Sequence, residues 1–192
     1  MNISLFSLSI LALMACVGCG LFPNSRDWKD PVNQQVNQLG YGNWIVVAEA
    51  SFPAHSRIGA RQVISDAEVP EVVDHVLKSL EQSQYLRPEL YVTREMRSLE
   101  NDFAPGIDYI RERIRESLHG HETTEIDQQS IITLLESANK SYDVLVIRTT
   151  TALPYTSVFI DLQPGYWDAQ SEDRLRQRIT REHLERLAHP YP

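Results

Sequence analysis

Cysteine is nearly absent from this 192-residue chain: Cys16 and Cys19 are the only two, and both fall within the first twenty residues. A disulfide framework is therefore excluded for whatever folds after them. C-x-x-C can mark redox chemistry or half of a zinc site. Here it sits in an apolar leader with no second ligand pair, which supports neither. Positive charge is also scarce, with 18 Lys and Arg against 26 Asp and Glu, for a net charge of -8. That sign excludes a protein that tracks phosphates along nucleic acid. It also excludes adsorption to anionic lipid through charge. A neutral solute is indifferent to it. There is no internal repeat and no low-complexity tract. The longest uncharged apolar run, Ile3 to Val17, is about fifteen residues, short of the roughly 20 that cross a bilayer.

That run has the length of a signal-peptide core. It ends in Leu13-Met14-Ala15-Cys16 and then Val17-Gly18-Cys19-Gly20. Both are lipobox-like: small residues that fit a signal peptidase, then a thiol that can take a diacylglyceryl group. Cys16 has Leu three residues before it, and Cys19 has a Val-Gly pair before it and Gly after it. Two or three acyl chains would hold such a protein stably at a membrane, where one holds it only marginally. No Lys or Arg precedes the run, so a plain secretory signal is the alternative. The expected location is the cell envelope, anchored by lipid, or the periplasm or exterior without it.

Pro23 to Asp30 (PNSRDWKD) is polar and rich in breakers, and reads as a tether. Beyond it, 42% apolar and 23% charged residues are a globular balance, enough for one domain. Pro31 to Leu39 reads as a short helix ending at Gly40. Asn43 to Ala50 (NWIVVAEA) is a near-continuous apolar run rich in β-branched residues, as in a buried central strand. Ser51 to Gly59 comes next as a loop. Val69 to Gln82 is a helix with Pro70 at its start and Val72, Val73, Val76, Leu77 and Leu80 on one face. Glu89 to Thr93 is a candidate strand. Pro105 to Leu118 and Gln128 to Lys140 read as helices. Tyr142 to Thr149 and Ser157 to Leu162 read as strands. Ser171 to Ala188 is a charged helix with Leu175, Ile179 and Leu187.

Strands alternating with helices predict an α/β fold: one domain, a central sheet flanked by helices, with an N-terminal signal and an extra C-terminal helix. Ligands of open sheets sit beyond the carboxyl ends of the strands. That rule points to Glu49–His55 and to Arg148–Ser157. A carboxylate such as Glu49 inside an apolar strand is costly unless it is paired or serves a site.

The same two segments carry a likeness. Leu39-Gly40-Tyr41-Gly42-Asn43, the strand, and then Glu49-Ala50-Ser51-Phe52-Pro53-Ala54-His55-Ser56 resemble the opening of the fucose mutarotase and ribose pyranase (RbsD/FucU) family. That opening reads G-H-G-D, an apolar strand, then D-A-x-F-P-A-H-S in the fucose mutarotases. Gly59 to Ile64, the helix from Val69, and Gln84-Tyr85 fit the family's next segments. Val144 to Thr149 and Tyr155 to Ile160 resemble the later strand, the Y-x-N element and the last strand. The likeness covers about residues 31 to 166, with F-P-A-H-S its most specific stretch. With the segments that lie outside it, the expected division is a lipoprotein-type signal (1–19), a tether (20–30), a sugar-binding RbsD/FucU-like domain (31–166) and a C-terminal helical extension (167–192).

The resemblance implies a protein that interconverts anomers or ring forms of a fucose- or ribose-like monosaccharide, in ring-shaped oligomers with sites near subunit contacts. It implies no metal and no cofactor. Opening a hemiacetal needs one group to protonate the ring oxygen and another to take the anomeric hydroxyl proton. Carried over residue by residue, Tyr41 stands at the family's acidic His and Glu49 at its sugar-binding Asp. Tyr155 keeps the Tyr of Y-x-N, and Ser157 replaces its Asn. Tyr41 and Glu49 are thus the expected catalytic pair, and Glu49, His55, Tyr155 and Ser157 the expected sugar contacts. Tyr has a reference pKa near 10 against about 6.5 for His, a poorer proton shuttle at neutral pH. Ser keeps a donor and an acceptor but loses the amide's reach. The fucose mutarotase Arg has no counterpart in Ser130-Ile131-Ile132-Thr133. The rival expectation is a non-catalytic lipoprotein serving as a sugar-binding or envelope interaction module.

Other constellations are weaker. Ser51, His55 and Asp66 lack the G-x-S-x-G elbow of a hydrolase. His119 and His121 lack a third metal ligand at a recognisable spacing. His183 and Glu185 lie in the charged helix. Arg111, Arg113 and Arg115 alternate with Glu112 and Glu116, as on a salt-laced surface.

Overall fold

Burial on both faces requires a strand with no polar alternation, and β1 (Trp44–Ala48) is buried at all five positions. It lies inside a six-stranded sheet of order β2-β5-β1-β6-β3-β4. The computed structural model describes residues 27–53 and 60–188. The leader, both cysteines and His55 lie outside the described residues. In β1, Ile45 and Val47 face one side of the sheet, and Trp44, Val46 and Ala48 the other.

β5 (Val144–Arg148) runs parallel to β1 and to β2 (Ala60–Ile64). β6 (Val158–Pro164) runs antiparallel to β1 and to β3 (Leu86–Thr93). β4 (Thr123–Ile126) runs parallel to β3. The carboxyl ends of all strands but β6 therefore share one end of the sheet with the start of β6.

On the first face, α1 (Lys29–Val36), α2 (Val69–Glu81) and α4 (Ile107–Ser117) cover the sheet. α2 buries seven residues, including the predicted stripe of Val72, Val73, Val76, Leu77 and Leu80. Each fully buried Val or Leu stabilises the fold by about 1.5–3 kcal/mol. On the second face, α5 (Gln128–Ala138) packs Ile131 and Leu135 against Val46, Val146 and Phe159. α3 (Arg94–Ser98) is a single turn after β3, and α6 (Ala169–Ala188) buries none of its residues.

The α/β architecture is the one the pattern predicts. Four elements differ from it, one of them the single turn α3, which no local pattern marks. α1 starts at Lys29, inside the stretch read as a tether, because Trp28 is 5% exposed and packs edge-on against His75 at 5.0 Å. β4 has only four residues and lies on the sheet edge, too short for a periodic signal. β2 is the opposite edge, where Ile64 stands 73% exposed. Gly42 has φ +80, and an added Cβ would come within 2.8 Å of the Tyr142 ring. Only glycine fits that turn into β1.

Candidate functional site

Short hydrogen bonds stitch the carboxyl end of the sheet together. Thr149 donates from its N–H and its hydroxyl to the Ala48 carbonyl at 2.9 and 2.8 Å. Ala50 N–H reaches the Thr151 carbonyl at 2.9 Å. The Thr151 hydroxyl accepts the first N–H of α2, from Val69, at 2.9 Å. These bonds hold rigidly the place where β1 ends and Glu49 begins.

Glu49 faces the segment that leads into β6. Its Oε2 accepts from the Thr156 N–H at 3.3 Å and from the Ser157 hydroxyl at 3.4 Å. Its Oε1 accepts from the Ser51 hydroxyl at 3.4 Å. The Glu49 N–H donates to Ser157 Oγ at 3.1 Å. Burial pushes the Glu49 carboxyl above its ordinary range. The N–H groups of Thr156 and Tyr155 and the hydroxyls of Ser51 and Ser157 pull the other way without prevailing. These bonds lie at the long end of hydrogen-bond geometry, so they only partly repay the desolvation.

Tyr155 supplies the turn that makes this grip. Its φ is +62, a left-handed conformation that costs an ordinary residue about 1–2 kcal/mol. Thr93 Oγ1 fixes it by donating to the Tyr155 carbonyl at 2.9 Å. Successive N–H groups around a left-handed residue make a concave anion cradle, and here Glu49 fills it. The Tyr155 side chain lines a neighbouring hollow of about 350 Å³ with Arg94, Glu95, Ser98, Leu99 and Asp127.

The walls of this hollow are tied down. Both Glu95 oxygens accept from the Gln128 N–H, at 3.0 and 3.2 Å, at the start of α5. Asp127 caps the same helix by accepting from the Ser130 N–H at 2.9 Å. Arg111 holds the wall from behind, donating to the Met96 carbonyl at 3.1 Å and to the Leu99 carbonyl. Arg111 is thus a clamp on α3 and also pairs with Asp108 at 2.7 Å, within the salt-laced surface that the sequence pattern suggests. Its neighbours Arg113 and Arg115 pair with Glu68 and Glu112.

The structure therefore brings Glu49, Tyr155 and Ser157 to one end of the sheet. Tyr41 goes elsewhere. It precedes β1, so it stands at the amino end, one full strand away from Glu49. At about 3.3 Å per residue, β1 alone separates the two ends by over ~13 Å. Within one chain, the expected pairing of Tyr41 with Glu49 does not form. The reason is the parity of the fold: the two residues flank a single straight strand and cannot both sit at one of its ends.

Arg94, Glu95 and Asp127 escaped the sequence pattern. Arg94 and Glu95 directly follow β3, whose end the carboxyl-end rule already covers, and Asp127 follows β4, whose recognition would have added it. His119 pairs with Asp74 at 2.7 Å, and His121 lies 3.8 Å from Glu81. Among the described residues no three His, Cys, Asp or Glu side chains group as a metal site. Among them, too, no helix is long and apolar enough to cross a membrane.

No protein-family profile and no curated protein matches this sequence. Several solved structures are similar to it. RbsD of Bacillus subtilis, complexed with D-ribose, is 14% identical with a TM-score of 0.47, over 68% of this chain and 89% of that one. The fucose mutarotase of Streptococcus pneumoniae, in complex with L-fucose, is 15% identical with a TM-score of 0.45, over 73% and 96%. FucU of Bifidobacterium longum is 17% identical with a TM-score of 0.42, over 69% and 92%. These structures carry the names of the family that the sequence resembles.

Proposed function

We propose that this chain binds a monosaccharide at the carboxyl end of its sheet, and that Glu49 moves the proton when the sugar's hemiacetal opens and recloses. The observation that carries the proposal is the Glu49 carboxylate, raised by burial and held by long bonds from Ser51, Thr156 and Ser157. A carboxyl shifted toward neutral pH exchanges protons more effectively than one left at its ordinary value. The likeness of residues 49–56 and 155–160 to the mutarotases supports the same reading. Tyr155 and Ser157 contact the sugar, with His55 in the loop after Glu49. Glu49 takes the anomeric hydroxyl proton, and the ring oxygen receives a proton from water or a second acid. Upstream, Cys16 or Cys19 carries the lipid that places the domain in the envelope, and incorporation of labelled palmitate checks this.

A second reading, sugar binding without turnover, is favoured by the position of Tyr41 at the far end of β1. Saturation-transfer NMR of L-fucose and D-ribose separates the two. Turnover predicts faster anomer exchange with the protein and a loss of about 100-fold in Glu49→Gln. Binding without faster exchange supports the second reading. Absence of binding overturns both. Tyr41→His leaves the rate unchanged if each chain acts alone, and raises it only if a second copy carries residue 41 to Glu49.

A further inference from the structure

Three aromatic side chains stand in water at the amino end of the sheet. Tyr41 is 62% exposed, Tyr166 74% and Trp167 41%. They line a cleft of about 700 Å³ between β3, β6 and the root of α6. The core does not need them, since both faces of β1 are buried without their help. A volume in the range of roughly 300–1,000 Å³ is typical of small-molecule sites.

Most of the charges around these rings are already paired. Arg87 meets Glu89 at 2.9 Å, and Arg176 meets Glu172 at 2.6 Å. Trp167 Nε1 donates to Glu172 Oε2 at 2.8 Å, which fixes the indole against the helix. Asp168 is spent on capping α6, accepting from the Ser171 N–H at 2.6 Å. Two arginines thus stand against three carboxylates in the lining, a small negative excess that disfavours an anion. The cleft offers flat apolar rings flanked by fixed donors and acceptors. That is the chemistry that recognises a neutral sugar ring, with C–H faces to stack and hydroxyls around the edge.

Behind Gln163 lies a further polar group. Asp161 is the cross-strand partner of Glu89, and its Oδ2 accepts from Gln163 Nε2 at 2.8 Å. Its Oδ1 is buried with no hydrogen-bond partner. Gln163 lines the cleft, so a hydroxyl bound to its amide joins a network anchored on Asp161, whose free oxygen is itself enclosed. The root of the helix is rigid. Gly165 N–H donates to the Tyr85 carbonyl at 2.8 Å, and a Cβ on Gly165 would lie 3.2 Å from the Gln84 carbonyl oxygen. Tyr166 and Trp167 come directly after it and inherit that fixed position.

We infer that this cleft is a second carbohydrate site, distinct from the Glu49 end, and that it takes a short chain of neutral sugar rings rather than one free monosaccharide. Its volume and its three spaced rings suit more than one sugar unit. The inference does not rest on the Glu49 reading, because Glu49, Tyr155 and Ser157 stand at the opposite end of the sheet and do not line this cleft.

The experiment uses acrylamide quenching of tryptophan fluorescence. Trp28 and Trp44 are each 5% exposed, so Trp167 supplies the quenchable signal. Titration with maltohexaose, cellohexaose and chitohexaose is expected to protect Trp167 saturably with at least one of them. Calorimetry is then expected to show binding weakened about tenfold or more in Trp167→Ala and in Tyr166→Ala, the loss of a stacking contact. Glu49→Gln is expected to bind the same oligosaccharide unchanged, which separates this site from the other end. Absence of protection with all three sugars overturns the inference. So does binding that survives Trp167→Ala, or protection that appears with protein concentration alone and tracks dimer in sedimentation.

Discussion

Glu49 and Asp161 are two half-buried carboxylates at opposite ends of one sheet, and burial raises both. Their surroundings differ. Glu49 closes on a left-handed turn whose N–H groups and hydroxyls converge on it. Asp161 has Gln163 on one oxygen, nothing on the other, and Glu89 directly across the strand pair. The first is a group the fold has arranged to hold. The second is one the fold tolerates, with part of its bonding capacity unused. A shift in the same direction thus marks two different conditions, and only the partners distinguish them.

The comparison breaks most visibly at Ser157, which is 2% exposed and bonds both the N–H and the carboxylate of Glu49. Ser157→Ala leaves the part-buried Glu49 N–H without its partner. It is expected to cost about 1–3 kcal/mol in urea denaturation. A neutral result would mean that these bonds do not hold the carboxyl end.

Asp161→Asn is expected to act in the opposite direction, stabilising by up to about 1 kcal/mol at neutral pH, because it removes like charges facing each other across a strand pair. The pH dependence comes from the raised pKa. The folded chain keeps the Asp161 proton to higher pH than the unfolded chain does. Stability is therefore full below the ordinary aspartate range and is lost as pH rises through the folded value. The advantage of the Asn variant should be small in acid and grow on the way to neutral. A constant difference across that range would show that Asp161 does not titrate differently in the fold.

The smallest effect is expected at α6. It buries no residue, so ending the chain after Asp168 should change global stability by less than about 0.5 kcal/mol. The same truncation removes Glu172 and Arg176 from the cleft wall and should free the Trp167 indole, read as stronger acrylamide quenching. A large loss of stability would show that the helix supports the sheet.

Much of the fold is legible in the sequence, and the legible parts have a common cause. β1, α2 and β5 announce themselves because burial on one face or two demands a periodic or continuous apolar pattern. Glu49 stands out as a carboxylate at the end of such a run, and Tyr155 and Ser157 through their likeness to a known element. The edges are harder to read. β4 is short, and α3 is a single turn held by Arg111 from another helix, a contact that leaves no trace in local sequence.

By itself, then, the order of residues determined the buried strands, the helices that cover them, and that a carboxylate would stand where the central strand ends. Local pattern suffices for these because neighbouring residues alone decide which face is apolar. Which end of the sheet each polar group joins was decided by the tertiary structure. β6 runs against its neighbours, so residues 155–157 return to Glu49 while Tyr41 is left with Trp167 at the other end. Strand direction is a property of the assembled sheet, and a straight strand keeps its two flanking residues apart whatever their chemistry.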